Sequence, residues 1–373
     1  FPFYRVTKMK AAIIGVGQMG RATTWAMHKL GFDDLVIADV DADNLNECEA
    51  LIDMKSSVWK RFINGSSSIE KYVVNKKYPD YSFIDKDVDV VISALPYHQN
   101  TQLAYHCVCR NVAYCDLGGN EGISGGINEM GRRYMRCSIM TDLGLAPGWV
   151  NIMAENMCQE YMEREGEVPH TVTMMVGGLP QCPNNTLKYS CTWSYDGLIN
   201  EYRDSCLVLV DGQETVVRGM EGYQFPISSD IGTLEAFYTS GGTSHTVSSM
   251  KMKGIQNCCY KTLRYPSHHQ IVNFLVHESG LDDKSLIDVF KNSCPPQKDL
   301  VIIKVSVDDW SNEKVIHCNS QFSAMQMATA FPLASAASII ADRAEPSVCT
   351  YRDIPYSIFD EKLNLLFNFA ECL

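Results

Sequence analysis

The amino-acid sequence predicts an α/β chain of two domains, a doubly wound parallel sheet within residues 1–150 and an α+β domain with a mostly antiparallel mixed sheet over 151–319. Three observations predict it. Short apolar runs alternate with helix-patterned stretches as far as Gly148, a glycine-rich turn G-V-G-Q-M-G joins the first run to the first helix, and beyond Gly148 strand-like segments follow one another between turn residues. Alternating strands and helices close into a parallel sheet covered on both faces, whereas strands in succession pair antiparallel.

Ala11 to Val16 is an apolar run ending in glycines, and Arg21 to Leu30 reads as a helix closed by Gly31. Asp34 to Val40 is a second buried strand with an acidic end, which completes a βαβ unit. A helix over Asn44–Met54 is followed by a polar stretch around Gly65–Lys77, a strand at Val88–Ala94 and a helix at Thr101–Arg110. Strands at Val112–Leu117 and Ser138–Thr141 each have glycines just beyond them. In the second domain Trp149–Glu163 reads as a helix, and VTMMVGGLP, CLVLVDG, ETVVRG and LVIIKVSVDD are the clearest strands. Helices are expected at Pro266–Leu275 and Lys284–Lys291. Gln321–Ala341 is expected to be a long helix broken or bent near Pro332, with 320–345 completing the first domain. Residues 346–373 are an amphipathic tail, helical over Asp360–Phe369.

Of the 373 residues 46% are apolar and 20% charged, enough for two substantial cores. The net charge of −12 argues against phosphate backbones and anionic membranes as partners, which need basic patches. The start FPFYRVTK lacks the apolar centre of a secretory signal, and Val315–Ala341 is interrupted by polar residues and Pro332, so a cytoplasmic protein is expected. The fifteen cysteines are odd in number and thinly spread. Cys107 with Cys109, and Cys258 with Cys259, lack a second pair at zinc-finger spacing, so neither a disulfide scaffold nor a metal is expected. No Walker A or H-E-x-x-H pattern occurs.

The glycine-rich turn sits between a predicted strand and a predicted helix, the context a dinucleotide requires. Gly15 would make the tight turn, Gly17 would let a pyrophosphate approach the backbone at Gln18 and Met19, and Gly20 would let helix pack on strand. This is a Rossmann-type arrangement, with the helix N-terminus facing the phosphates. Asp39, followed by Val40, ends the second strand where a carboxylate can accept hydrogen bonds from the adenosine ribose. That selects NAD over NADP, since a 2′-phosphate would meet Asp39, Asp41 and Asp43 with no arginine close behind. The bland alternative is glycines that only close a turn and an Asp39 that is a solvated strand end. Later strand ends point to the same crevice: Ser93, Ala94, Leu95 and Pro96; Asp116, Leu117, Gly118 and Gly119; and Gly144 to Gly148, with Ala146 and Gly148 beside the cofactor.

From CDLGG at Cys115 onward the chain resembles the saccharopine dehydrogenase superfamily, especially its lysine 6-dehydrogenase-like branch. The other stretches that carry the resemblance are GLAPG at Gly144, GGLP at Gly177, SYDGLINEY at Ser194, LEAFYTSGGTS at Leu234 and YKTLRYPSH at Tyr260. The resemblance implies an NAD(P)-dependent enzyme acting at an amine-bearing carbon, a Rossmann domain completed by the C-terminal helix, and a second domain carrying substrate and dimer contacts, hence a homodimer. It also implies that the block from Lys261 to His268 borders the substrate cleft. Ser267 stands there where the family pattern has glycine.

Oxidising an amine by hydride transfer requires a neutral nitrogen, whose lone pair stabilises the iminium, and hence a base nearby. With lysine the imine hydrolyses to a semialdehyde and ammonia; in reverse the same cleft would join an aldehyde and an amine. Asp116 is the first candidate for the group near the amine, its other reading being a cap or turn carboxylate. Arg264 can clamp a substrate carboxylate, with Thr262 adding a hydroxyl, or can serve as a structural ion-pair partner. Tyr238 and Thr239 are cavity or core. Of His268 and His269 at most one can face the site, because neighbouring side chains diverge. Lys261 is an alternative base if buried. A non-catalytic NAD-sensing protein is the reading from another class.

Overall fold

The computed structural model describes residues 9–59, 68–84 and 87–372. The chain forms two compact units, one of residues 1–144 and 329–373, the other of 145–328.

The first unit opens with β1 (Lys10–Ile14), α1 (Gln18–Lys29), β2 (Asp34–Asp39), α2 (Ala42–Trp59) and β3 (Ser68–Val73). It continues with β4 (Val90–Ser93), α3 (Asn100–Arg110), β5 (Ala113–Asp116), α4 (Glu121–Tyr134) and β6 (Ile139–Met140). The six strands lie in the order β3-β2-β1-β4-β5-β6, all parallel. The order reverses between β1 and β4, the switch point beyond whose strand ends ligands bind in such sheets. Val36, Val91 and Tyr114 on one sheet face pack with Leu103, Ala104, Cys107 and Ile127, so periodicity and burial agree.

In the second unit come α5 (Trp149–Glu165), β7 (Thr171–Pro180), α6 (Tyr195–Arg203), β8 (Ser205–Val210), β9 (Gln213–Arg218), β10 (Gln224–Ser229) and β11 (Gly232–Tyr238). After them run α7 (Thr246–Met252), β12 (Asn257–Arg264), α8 (His268–Asn273), α9 (Asp283–Ser293), β13 (Asp299–Val307) and β14 (Trp310–His317). Eight strands form one mixed sheet with the path β10-β11-β12-β7-β13-β14, and β8 and β9 branch from β12. Only β12 and β7 pair in parallel; the other neighbours are antiparallel. Buried Asp299 starts β13 and also accepts the N–H groups of Ala324 and Met325. It thereby caps α10 (Ala324–Ala341).

The expected break at Pro332 does not occur: α10 runs through it as one helix. Alanine fills position 328, four residues before the proline, and the residues from Phe331 to Ala337 are completely buried, so packing offsets the one missing hydrogen bond. This helix is long and apolar enough to cross a membrane, but 83% of it is buried inside the protein. The chain then adds Val348 beside Ile139 and ends in α11 (Tyr356–Glu371). Phe331 stacks on Trp25 at 5.5 Å and meets Phe367 edge-on at 5.3 Å, which fastens both C-terminal helices to α1.

Eight elements had no sequence expectation: β3, α4, α6, β10, β11, α7, β12 and β14. β3 lies in the stretch read as polar, because it is a sheet-edge strand with half its residues exposed. Helix α4 contains Gly122, Gly125, Gly126 and Gly131, each costing roughly 1 kcal/mol of helix propensity. At Gly131 a side chain would strike Val348 Cγ2 at 2.7 Å, so glycine is required for close packing. Helix α6 and strand β12 carry polar residues on the faces turned toward one another, which hides their periodicity.

Candidate functional site

The glycine turn is built as a phosphate cradle. Gly15 has φ +86°, and its N–H donates to Ala38 O at 2.7 Å, which carries the chain from β1 across the end of β2. A Cβ on Gly20 would lie 1.8 Å from Gly15 O, so α1 can approach the strand only with glycine there. Around Gly17, by contrast, a Cβ would meet no atom within 4 Å. Gly17 is the N-cap of α1 and supplies no side-chain cap, and the first turn contains no acidic residue. The helix end thus presents a positive dipole and open backbone, and these residues fit the pyrophosphate of a dinucleotide.

Asp39, 7% exposed, accepts from Val16 N at 2.7 Å on one oxygen, and from Asp41 N at 2.9 Å and Asn44 Nδ2 at 3.2 Å on the other. It ties the glycine turn to the start of α2. Arg21, the nearest cation in α1, is paired with Glu47. Of the remaining cofactor candidates in this unit, Gln18 and Val40 are exposed, Met19, Ala94, Leu95, Leu117 and Gly118 half-buried, and Pro96 exposed. Ala146 and Gly148 belong to the second unit, where Gly148 caps α5.

Asp116 is completely buried at the end of β5. It accepts from Tyr114 Oη at 2.9 Å, Gly118 N at 2.9 Å and Asp142 N at 3.1 Å. Burial, with the Asp142 carboxylate adding to it, raises its pKa to about 7, and the three donors act against that rise. The geometry is that of a turn carboxylate. Gly118 packs so closely on Asp142 that a Cβ would come 2.1 Å from its Oδ1. Asp142 itself has φ +63° and accepts from Ser124 Oγ at 2.7 Å. The run Gly122 to Gly126 has the G-x-S-x-G spacing of a nucleophile elbow. Its Ser124 lies inside α4, 4% exposed and bound to Asp142, so it is not presented at a strand-to-helix turn.

In the second unit a buried polar chain links Arg264, Tyr202 and His268. Arg264 Nε donates to Tyr202 Oη at 3.1 Å, and Tyr202 Oη lies 3.1 Å from His268 Nε2. His268 Nδ1 donates to Leu187 O at 2.7 Å, so the imidazole is neutral with its proton on Nδ1 and Tyr202 donates to Nε2. Burial, then Arg264, drives the His268 pKa down to about 3. Arg264 is 3% exposed, with its guanidinium 4.7 Å from the Tyr189 ring centre and 5.8 Å from that of Tyr202. Thr262 and Thr239 share a hydrogen bond of 2.7 Å across β12 and β11.

The structure therefore brings Arg264, Thr262, Thr239 and His268 onto one side of β12 and sends other candidates elsewhere. Register pairs Tyr238 with Lys261 on the opposite face. There Lys261 Nζ donates to Gly222 O at 2.8 Å and lies 5.0 Å from the Tyr238 ring centre. His269 points away from His268, its Nε2 2.7 Å from Met220 O. Tyr202 and Tyr189, without a sequence-based role, also belong here. In the same unit the buried amide of Asn151 donates to Gly242 O, Thr243 O and Thr246 Oγ1. Glu235 accepts the N–H groups of Ser267 and His269 and so anchors the start of α8. Among the described residues no cluster of three or more His, Cys, Asp and Glu could hold a metal, and all fifteen cysteines are free thiols.

Family models match both parts of the chain: the saccharopine dehydrogenase NADP binding domain over residues 11–136 and the saccharopine dehydrogenase C-terminal domain over 144–364. The chain belongs to the saccharopine dehydrogenase family. Its first unit is a Rossmann-type domain of the family's nucleotide-binding kind. The mitochondrial alpha-aminoadipic semialdehyde synthase of Bos taurus is 26% identical over 226 residues, 59% of this chain and 22% of that protein. The chain thus corresponds to less than a quarter of that relative's length. Saccharopine dehydrogenase (L-Glu forming) of Saccharomyces cerevisiae has the same fold with TM-score 0.71 and 15% identity, covering 97% of this chain and 98% of that one. A homospermidine synthase of Legionella pneumophila, solved with NAD, gives TM-score 0.65 and 10% identity over 96% and 90%. The nucleotide-binding family model fits the open turn at Gly17, and those two solved structures share the fold with this chain.

Proposed function

We propose that this member of the saccharopine dehydrogenase family is an NAD-dependent dehydrogenase of an amino acid, acting at a CH–NH2 group, with oxidative deamination of the side-chain amine of L-lysine or a similar diamino acid as its reaction. The substrate carbon loses hydride, its nitrogen loses a proton, and water converts the iminium to an aldehyde with release of ammonia. NAD, when bound, supplies the hydride acceptor. The observation that carries the reading is the open Gly17 turn with Asp39 at the ribose position, within a chain of this family.

In this reading Gly15, Gly17 and the N-terminus of α1 hold the pyrophosphate, and Asp39 receives the ribose hydroxyls and repels a 2′-phosphate. Asp116 is a positioning residue that sets the turn at Gly118. Arg264, a buried cation with no carboxylate against it among the described residues, supplies charge for a substrate carboxylate. The net charge of −12 supports a cytoplasmic enzyme without nucleic-acid or membrane partners, and we read it as a homodimer, to be checked by light scattering.

The deciding assay is NADH formation by absorbance, with NAD and NADP in parallel, over L-lysine, ornithine, saccharopine and diamines. Reduction of NAD by lysine with release of ammonia is the expected result. Turnover of saccharopine alone would replace it with a reductive condensing enzyme, and tight NAD binding with no turnover would make the chain a nucleotide sensor.

A further inference from the structure

The sheet of the second unit ends in three strands that have one partner each among the described residues, β10, β14 and β9. Such an edge offers unpaired N–H and C=O groups to any other chain, and proteins blunt it with prolines, bulges or charges. β10 is blunted by Pro226 and by a register shift between Gln224 and Ile227. β14 carries Glu313 and Lys314 at its middle. β9 has neither device: it reads Q-E-T-V-V-R and stays in unbroken register with β8 from Gln213 to Arg218. Its charges stand at the flanks, and the valine between them, Val216, is 68% exposed.

The hairpin turn decides which backbone groups face outward. Asp211 and Gly212, with φ +48° and +74°, form the two-residue turn between β8 and β9, so Val210 and Gln213 are a hydrogen-bonded pair. Bonded and non-bonded pairs alternate from there, which turns Thr215 and Val217 toward β8 and the backbone of Glu214, Val216 and Arg218 away from it. The pairing of Leu209 with Cys258 on the far side of β8 obeys the same alternation. The outer groups of Arg218 are taken by Glu221, whose Oε2 accepts from Arg218 N at 3.3 Å and whose N–H donates to Arg218 O at 3.2 Å. Those of Val216 have no partner among the described residues. Glu214, Val216 and Arg218 also share one sheet face, and all three are exposed. Their present contacts are loose: Glu214 with Lys251 at 3.5 Å and Ser248 Oγ at 3.4 Å, and Arg218 with Glu221 at 3.5 Å. Exposed pairs of this kind contribute little and leave both charges usable.

We propose that β9 is the edge through which two copies of this chain join, antiparallel about a two-fold axis at Val216. The order acid, valine, cation is self-complementary under that operation. Val216 meets its own counterpart, where each copy's outer N–H and C=O satisfy the other's, and each Glu214 lies opposite Arg218 of the second copy. An axis at Thr215 or Val217 would set each charge against a valine, and one at Glu214 or Arg218 would set like charges face to face. The charges therefore select Val216, and the pairing closes after two copies. The inference rests on the homodimer reading above for the number of copies and needs neither NAD nor an amine substrate.

The test is sedimentation equilibrium of the full chain from about 1 to about 100 μM, the range in which a short interface dissociates. The parent is expected to dimerise. Glu214→Arg and Arg218→Glu each set two like-charge pairs across the axis and should raise the dimer Kd at least about tenfold. Mixed in equal amounts, these two variants should recover a dimer at least as tight as the parent's, because a basic edge then faces an acidic one. That recovery also shows that neither variant is misfolded. Val216→Pro removes an N–H that points away from β8, so it should leave the Tm within about 3 °C while the chain becomes monomeric. A parent that stays monomeric throughout the range would overturn the proposal, as would single charge variants that dimerise like the parent or a mixture that fails to recover. A dimer indifferent to all three substitutions would keep the homodimer and overturn this interface. None of these outcomes depends on NADH formation, so a failed amine assay would sink the dehydrogenase reading and leave the β9 interface standing.

Discussion

Ser267 occupies a left-handed backbone conformation, φ +83°, at a position where the family pattern has glycine. A Cβ in that region costs about 1–2 kcal/mol, partly offset because glycine loosens the unfolded chain. Ser267→Gly should therefore stabilise the protein by about 0.5–1 kcal/mol and raise the Tm of its unit by about 1–4 °C. An unchanged or lower Tm would show that the hydroxyl makes up for the strain. Asp116 offers a second test at this scale. Its folded pKa of about 7 lies above the ordinary aspartate value of 3.8, so the folded protein keeps a proton that the unfolded chain has lost. Stability is then expected to fall as pH rises from about 4 to about 7, by up to about 4 kcal/mol from this group. Asp116→Asn keeps an acceptor for Gly118 and Asp142 and removes the charge. It should be more stable than the parent at pH 8, with the gap closing toward pH 5 in urea unfolding; a variant that retains the parent's slope would mean that Asp116 is ionised throughout.

The glycine turn separates structural from binding roles within one element. A Cβ on Gly20 would collide with the Gly15 carbonyl, whereas one on Gly17 meets only the space assigned to the pyrophosphate. Gly20→Ala should destabilise the first unit by several kcal/mol or abolish its folding, since backbone cannot yield as a side chain can. Gly17→Ala should leave the melting temperature of the free protein within about 2 °C and weaken NADH binding at least about tenfold, read by nicotinamide fluorescence. Equal loss of stability in both variants would end this division of labour. The turn was also the most legible element, because strand, glycines, helix and acidic strand end all lie within 30 residues and each obeys a local rule. What stayed hidden depends on distant partners. Strand β12 shows no clean alternation because Thr262 and Arg264 line a polar cluster on one face while Lys261 reaches Gly222 on the other. Asp142 acquires its place through distant partners, Asp116, Ser124 and Tyr351. The stretch SYDGLINEY contained Tyr202 and marked the region, but no spacing rule said that its hydroxyl would bridge Arg264 and His268.

At the scale of the whole chain, the nucleotide-binding unit is assembled from both ends of the sequence. Residues 329–373 return to it, with Cys349 N donating to Ile139 O at 2.8 Å and Tyr351 Oη to Asp142 O at 2.9 Å. Phe331, completely buried between Trp25 and Phe367, is the hydrophobic fastening of that return. Phe331→Ala removes a large ring from a packed core and should cost about 3–5 kcal/mol. A ligand that binds only the folded unit adds about 2.7 kcal/mol at a hundred times its Kd, so NAD marks the transition to which the first unit belongs. In differential scanning calorimetry the transition raised by NAD should be the one lowered by Phe331→Ala, with any transition insensitive to NAD left in place. If the substitution lowers only an NAD-insensitive transition, the C-terminal segment does not hold the dinucleotide fold together, and the tie between α1 and the end of the chain is without energetic consequence.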